Sequence, residues 1–299
     1  MTTRQDIAEK ENVDMDTQPP LIADPSNAGQ AGAWDGNEGA FWVARATSFD
    51  EGLAHFHGPF LEAAAIRAGD DVLDVGCGTG QATRDVARTA SDGSATGIDL
   101  SSGMLALARE LAAAEGLANI KFLQADAQIH PFGNGAFDAV VSRMGSMFFG
   151  DPVAAFTNLH RALRHGGRLT LLTWQGVADN EWLTEFLAAA AQGRVLPTPP
   201  PDAPSPFALA DPDRVKAILG EAGFIDVSLG GLHGPMSFGP DADVAFEFVS
   251  DLTGWMREGL DDDGQEAALA ALRKTIAVHA GDDGVTYESA AWIIQASRP

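Results

Sequence analysis

The chain has 299 residues, 45% hydrophobic and 20% charged, enough apolar material for one large α/β domain or two small ones and the wrong composition for a wholly disordered or fibrous chain. Nineteen basic and 42 acidic residues leave a formal charge of −23, which repels nucleic-acid backbones and anionic lipid surfaces, so neither is an expected partner. The single Cys77 excludes an internal disulfide framework and a multi-cysteine metal site, no apolar run approaches the roughly 18 residues of a membrane span, and the polar opening MTTRQDIAEKENVDMDTQPP carries no secretory signal; together these point to a cytoplasmic protein.

Residues 1–33 are polar and broken by prolines and glycines, and they read as a disordered tail. Residues 34–66 gather aromatics and helix formers into a helical arm, with helices at roughly 38–49 and 52–66. A regular alternation of strand and helix follows over 67–175. Strands are predicted at 71–76, 94–100, 119–126, 137–144 and 167–174, and helices at 81–90, 101–116 and 152–167. Within the last of these helices Phe156, Leu159 and Leu163 make a core-facing stripe. Such alternation means a doubly wound, mostly parallel sheet covered by helices on both faces.

After Trp174 the regularity breaks. A helix is predicted near 180–192, the proline-rich loop 197–207 suits neither regular element, and 211–223 and 224–230 return to helix and strand. Two helices fill 241–280 and a strand ends the chain at 289–296. We read one domain over 34–299 with two insertions, 176–210 and 241–280, covering the acceptor site.

The informative segment is Val72-Leu73-Asp74-Val75-Gly76-Cys77-Gly78-Thr79-Gly80, a buried strand running into a glycine turn and then a helix. The turn lies at the carboxyl end of the first strand, where open α/β sheets bind ligands, and its glycines allow positive φ and close approach to the main chain. Gln81 stands where the dinucleotide fingerprint wants its third small residue, and no Lys-Ser/Thr pair makes a phosphate loop. Asp99 ends the second strand, where a carboxylate can accept from both ribose hydroxyls of an adenosine-bearing cofactor; the competing role is a helix N-cap, which Ser101 can supply. Asp126 ends the third strand. It can take an adenine amino group or stand as a solvated strand-end aspartate.

These segments, with GIDLS, LQADAQ, FDAVVSRMGSMFF and LRHGGRLTLLTW in order, resemble the motifs of class I S-adenosylmethionine-dependent methyltransferases, most closely the group related to ubiquinone and menaquinone biosynthesis enzymes. The resemblance is good over roughly 39–175 and loose elsewhere. It implies a seven-stranded sheet whose last strand, within 285–297, is antiparallel, and S-adenosylmethionine as cofactor. It implies that Gly76, Gly78 and Gly80 face the methionine part, Asp99 holds the ribose, Asp126 the adenine amino group, and Ala127 or Gln128 the ring, with Asp74, Cys77 and Leu100 also in the cofactor site. Ser142 would lie near the sulfonium, and Trp42 and Arg45 of the arm would close over the cofactor. Cys77 also suits buried small-residue packing.

Ser142-Arg143-Met144-Gly145-Ser146 lacks the Asp/Asn-Pro-Pro-aromatic signature of enzymes that methylate nucleobases or glutamine, and no cysteine stands where a cytosine-C5 enzyme needs its nucleophile. Asp138 and Asp151 stand apart, so no metal is expected. His55, His57 and His233 are the candidate general bases, because the transfer needs one only when the acceptor must lose a proton. Met144, Met147, Phe148, Phe149, Phe248, Trp255 and Met256 suggest a hydrophobic pocket for a small apolar acceptor, such as a quinone precursor, polyketide or terpenoid, though each also fits an ordinary core. A nicotinamide-dependent oxidoreductase and a non-catalytic cofactor-binding protein are the alternative readings, and a homo-oligomer stays open.

Overall fold

A computed structural model describes residues 21–196, 200 and 202–299. Four short helices come first: α1 (Ala28–Trp34), α2 (Asn37–Ala44), α3 (Ala46–Gly52) and α4 (Ala54–Ala64). Then follow β1 (Asp71–Val75), α5 (Gln81–Thr89), β2 (Ser94–Asp99), α6 (Ser102–Ala114), β3 (Ile120–Gln124), β4 (Phe137–Arg143), α7 (Pro152–Ala162) and β5 (Leu163–Trp174). The remainder comprises α8 (Glu181–Ala191), α9 (Pro212–Glu221), β6 (Ile225–Gly239), α10 (Ala242–Leu252), α11 (Asp262–Val278), β7 (Ala280–Gly281) and β8 (Gly284–Ser297).

Seven strands lie side by side in the order β3-β2-β1-β4-β5-β8-β6, and the two-residue β7 pairs with β8 as an eighth. β1 through β5 are parallel, whereas β8 runs antiparallel between β5 and β6. The doubly wound sheet and its reversed last strand are as expected. β1, with Leu73 beside Thr96 on one side and Val140 on the other, stands where the strand order reverses. That reversal opens a crevice at the carboxyl ends of β1 and β4, the place where such sheets take ligands.

The central strands read as near-continuous apolar runs because helices cover both faces. Val72, Leu73, Val140, Val141, Leu169 and Leu172 are fully buried, and so are Phe156 and Leu159 of α7. Burial of each such side chain contributes on the order of 1.5–3 kcal/mol. The predicted stripe stops there. α7 ends at Ala162, and Leu163 is already extended and paired with Phe137 of β4.

Two further boundaries differ from the sequence reading. β6 runs to Gly239 rather than 230, because β8 offers it a partner along the whole length, from Ile225 opposite Ser297 to Gly239 opposite Val285. Residues 21–33, expected to be part of a disordered tail, are folded. Asp24 accepts from the Ser26 N–H at 2.9 Å, starting a helical turn at Pro25–Asn27, and Asn27 is buried against Asp126 and Gly150. Local composition misjudged this stretch because its stability comes from polar contacts to distant residues. The rest of the expected tail, 1–20, lies outside the described residues, as do 197–199 and 201 of the proline-rich loop. Among the described residues no helix is long and apolar enough to cross a membrane.

Candidate functional site

The turn after β1 carries the site. Gly76, Gly78 and Gly80 have φ of 64°, 55° and 78°. A Cβ on Gly76 would stand 2.7 Å from the Gly145 Cα, so the turns after β1 and β4 touch backbone to backbone. A Cβ on Gly78 would meet nothing closer than the Met104 sulfur at 3.8 Å, so this glycine faces open space and serves by its conformation. Gly80 has a packing role instead: its Cβ would press on Ala108 and Phe122 at 3.0 Å.

Asp99 braces this turn. Its Oδ2 accepts from the Gly78 N–H at 2.8 Å and its Oδ1 from the Ser101 N–H at 2.9 Å, leaving acceptor capacity on both oxygens. The N-cap of α6 is Ser101, whose hydroxyl accepts from the Met104 N–H, so Asp99 is not needed there. Burial raises the Asp99 carboxyl above its ordinary value, against the pull of the N–H groups of Ser101, Gly78 and Leu100. Burial likewise pushes the Cys77 thiol well up.

Asp74 is the most unusual group. It is 1% exposed; Oδ2 accepts from the Thr83 hydroxyl at 2.6 Å, and Oδ1 has no partner. Burial pushes its carboxyl up to about 7, with Thr83 and the Arg143 charge pulling the other way. A buried oxygen without a donor is costly and asks for a ligand that supplies one.

The cavity between these groups leaves roughly 130 Å³ for the centres of water-sized molecules. That is far beyond the ~10–15 Å³ one water requires. Of the residues assigned from sequence, Trp42, Asp74, Gly76, Cys77, Gly78, Asp99, Leu100, Asp126 and Ala127 line it. Gly80, Gln128 and Ser142 do not. The Gln128 side chain donates to Ser26 and accepts from the Asp151 N–H. Ser142, fully buried, donates to the Val75 carbonyl at 2.7 Å and accepts from the Ser146 N–H at 3.0 Å, tying β4 to β1 rather than facing the cavity.

Arg45 turns outward to Glu247 and Asp251 of α10. None of His55, His57 and His233 reaches the cavity wall. His55 meets the His233 carbonyl at 3.1 Å, and His57 meets Asp85 at 2.7 Å. Met144, Phe148 and Phe149 line the cavity, whereas Met147, Phe248 and Met256 belong to the core and Trp255 is half exposed on the surface.

The sequence reading missed much of the wall. Asn27, Trp34, Phe49, Asp50 and Leu53 come from the folded N-terminal segment. Trp42 stacks on Phe49 with ring centres 3.5 Å apart, and Trp34 stands edge-on to Trp42 and Phe148. Arg143 also lines the cavity, donating to Asp50 at 2.6 Å and to Gln81. Its signal was available, since a guanidinium ending an otherwise buried apolar strand needs partners. Met144 follows with φ 61°, a left-handed conformation costing a side-chain-bearing residue about 1–2 kcal/mol. Among the described residues, no group of three or more His, Cys, Asp or Glu is placed to hold a metal.

A glycine turn and a strand-end carboxylate at the switch point of a doubly wound sheet define the class of Rossmann-like enzymes that take an adenosine-bearing cofactor. Residues 72–167 match the family model described as a methyltransferase domain. The chain is 33% identical over 179 residues to a demethylmenaquinone methyltransferase of Thermus thermophilus, covering 55% of this chain and 78% of that one. It is 30% identical over 189 residues to the ubiquinone/menaquinone biosynthesis C-methyltransferase UbiE of a Marinomonas species, covering 58% and 74%. The crystal structure of the Bacillus subtilis YcgJ protein superposes with a TM-score of 0.56 at 19% identity, covering 82% of this chain and 98% of that one, which is a likeness of fold. The chain belongs to the class I S-adenosylmethionine-dependent methyltransferases and resembles the UbiE group. It is an enzyme of methyl transfer with S-adenosylmethionine as cofactor, and the nicotinamide alternative finds no support among these relatives.

Proposed function

We propose that the cavity at the carboxyl ends of β1 to β4 is the cofactor site and that the enzyme methylates a small, largely apolar metabolite. The observation that carries the first half is the unpartnered Asp74 Oδ1, a buried acceptor suited to the ammonium of the methionine moiety. Asp99 has spare acceptor capacity on both oxygens for the ribose hydroxyls, and Asp126 and Ala127, lining the same cavity, suit the adenine. The residues present therefore fit the group. When bound, the cofactor supplies a sulfonium-activated methyl group.

The protein's own contribution is alignment and exclusion of water. Trp42, Phe49 and Leu53 from the arm and Met144 and Phe149 after β4 form an apolar wall beside the glycine turn. An acceptor held there in line with the methyl carbon gains its rate from positioning, which can supply on the order of 7–11 kcal/mol of a bimolecular barrier. With the three histidines off the wall, the arm contributes Asp50 to the lining, and its carboxylate is already engaged by Arg143. This supports a mildly acidic acceptor, a phenol or an enol, that gives up its proton without a strong base. The apolar wall and the −23 charge favour a neutral small molecule over a nucleic acid.

The test is incubation with methyl-labelled S-adenosylmethionine and a panel of hydroquinones, phenols and enolisable polyketides, with polar amines and a protein extract as controls. A product heavier by one CH₂ in the apolar set is expected. Methylation confined to amines or protein would overturn the acceptor assignment.

A further inference from the structure

Asp126 is 1% exposed, yet its carboxylate is held by three donors, two of them from the N-terminal segment. Oδ1 accepts from the Asn27 Nδ2 at 3.0 Å and from the Gln128 N–H at 2.9 Å, and Oδ2 accepts from the Asp24 N–H at 3.0 Å. A carboxylate offers about four acceptor positions, so one remains, on Oδ2. Asn27 is itself fixed: it is 2% exposed, and its Oδ1 accepts from the Gly150 N–H at 3.2 Å, which settles which end of the amide faces Asp126. Asn27 also borders the cavity.

We propose that Asn27 is a positioning residue for base recognition: by filling Oδ1 it locks the Asp126 carboxylate so that the last free position on Oδ2 faces the exocyclic amino group of the purine. The inference rests on the reading of Asp126 as the adenine-end group and adds to it a selectivity device borne by a segment far away in sequence. A carboxylate held in this way accepts from the 6-amino group of adenine and repels the 6-carbonyl of hypoxanthine, two acceptors face to face. Loosened, it can rotate away from the carbonyl, and the discrimination falls. A hydrogen bond to a charged acceptor is among the stronger ones, so its loss is expected to cost on the order of tenfold in that ratio.

The measurement is calorimetric affinity for S-adenosylhomocysteine and for its deaminated analogue S-inosylhomocysteine, with thermal unfolding as a check of folding. Asn27→Ala removes the donor. Asn27→Asp keeps the shape and the Gly150 contact while replacing the donor with an acceptor, so it covers the case in which the alanine variant fails to fold. Ser26→Ala loosens the same segment by removing the hydroxyl's bonds to the Asp24 carboxylate and the Gln128 amide, while all three donors to Asp126 remain.

Both Asn27 variants are expected to lower the adenosyl-to-inosyl affinity ratio about tenfold, mainly by weakening the adenosyl ligand, while Ser26→Ala keeps the ratio within about twofold. A ratio unchanged in both Asn27 variants, or lowered equally by Ser26→Ala, overturns the proposal. Asp126→Asn separates the two levels of the argument. If it leaves the ratio intact, the adenine-end reading of Asp126 fails first; if it collapses the ratio and the Asn27 variants do not, only the role of Asn27 fails.

Discussion

Asp74 offers a prediction whose size follows from its surroundings. In the ligand-free protein its carboxyl titrates near 7, because burial outweighs the Thr83 hydroxyl and the Arg143 charge. An ammonium beside Oδ1 favours the ionised form, so binding must shed a proton whenever the group starts protonated. At pH 6 about one molecule in eleven is ionised and at pH 8 about ten in eleven, which makes S-adenosylhomocysteine binding roughly tenfold weaker at the lower pH. Near pH 7 about half a proton is released per ligand, measurable as a dependence of the calorimetric enthalpy on the ionisation enthalpy of the buffer. Asp74→Asn, nearly isosteric and never charged, is expected to bind more weakly throughout and to lose the pH slope. The folded-state value lies above the unfolded one, so the group's contribution to the stability of the ligand-free protein is present below about pH 4 and lost as the pH rises to 7. A wild-type affinity that is flat from pH 6 to 8, or an Asp74→Asn enzyme with the same slope, would refute the reasoning.

Three other substitutions test the frame around the site. Gly76→Ala forces a Cβ to 2.7 Å from the Gly145 backbone at φ 64° and is expected to lower the urea-unfolding free energy by about 2–4 kcal/mol; a loss below about 0.5 kcal/mol would show that the two turns can part freely. Arg143→Ala strips a mostly buried guanidinium from Asp50 and Gln81, and a loss of about 2 kcal/mol is expected in the same assay, with Arg143→Lys recovering only part of it. Arg45→Ala breaks two ion pairs whose acidic partners are 69% and 49% exposed, so the change in stability should stay below about 1 kcal/mol; a larger one would mean that the contact of the arm with α10 is stronger than a solvated pair allows.

The glycine-turn side of the cavity was legible from sequence because it is local. A buried apolar strand, a turn at positive φ and an aspartate at the next strand end each follow from short-range chemistry, and Asp74, Gly76, Gly78 and Asp99 do border one cavity. The failures share the opposite cause. Asn27 stands in a polar, proline-punctuated stretch whose only sequence signal is disorder, and it is ordered by Asp126 and Gly150, far along the chain. Leu163 continues a helical stripe by spacing, but pairing with β4 makes it a strand residue. Ser142 was placed by motif at the end of the right strand, yet its hydroxyl is consumed by Val75 and Ser146. Periodicity reports which residues share a face; it does not report which hydrogen bonds a side chain has already made.

The most direct measurement is a crystal structure of the full chain with S-adenosylhomocysteine. The account requires the nucleoside sugar hydroxyls within hydrogen-bonding reach of Asp99 and the amino-acid nitrogen at the free oxygen of Asp74. A ligand seated outside the walls formed by Gly76, Gly78 and Asp99, or one bound inside them with Asp99 turned away from the sugar, would contradict it.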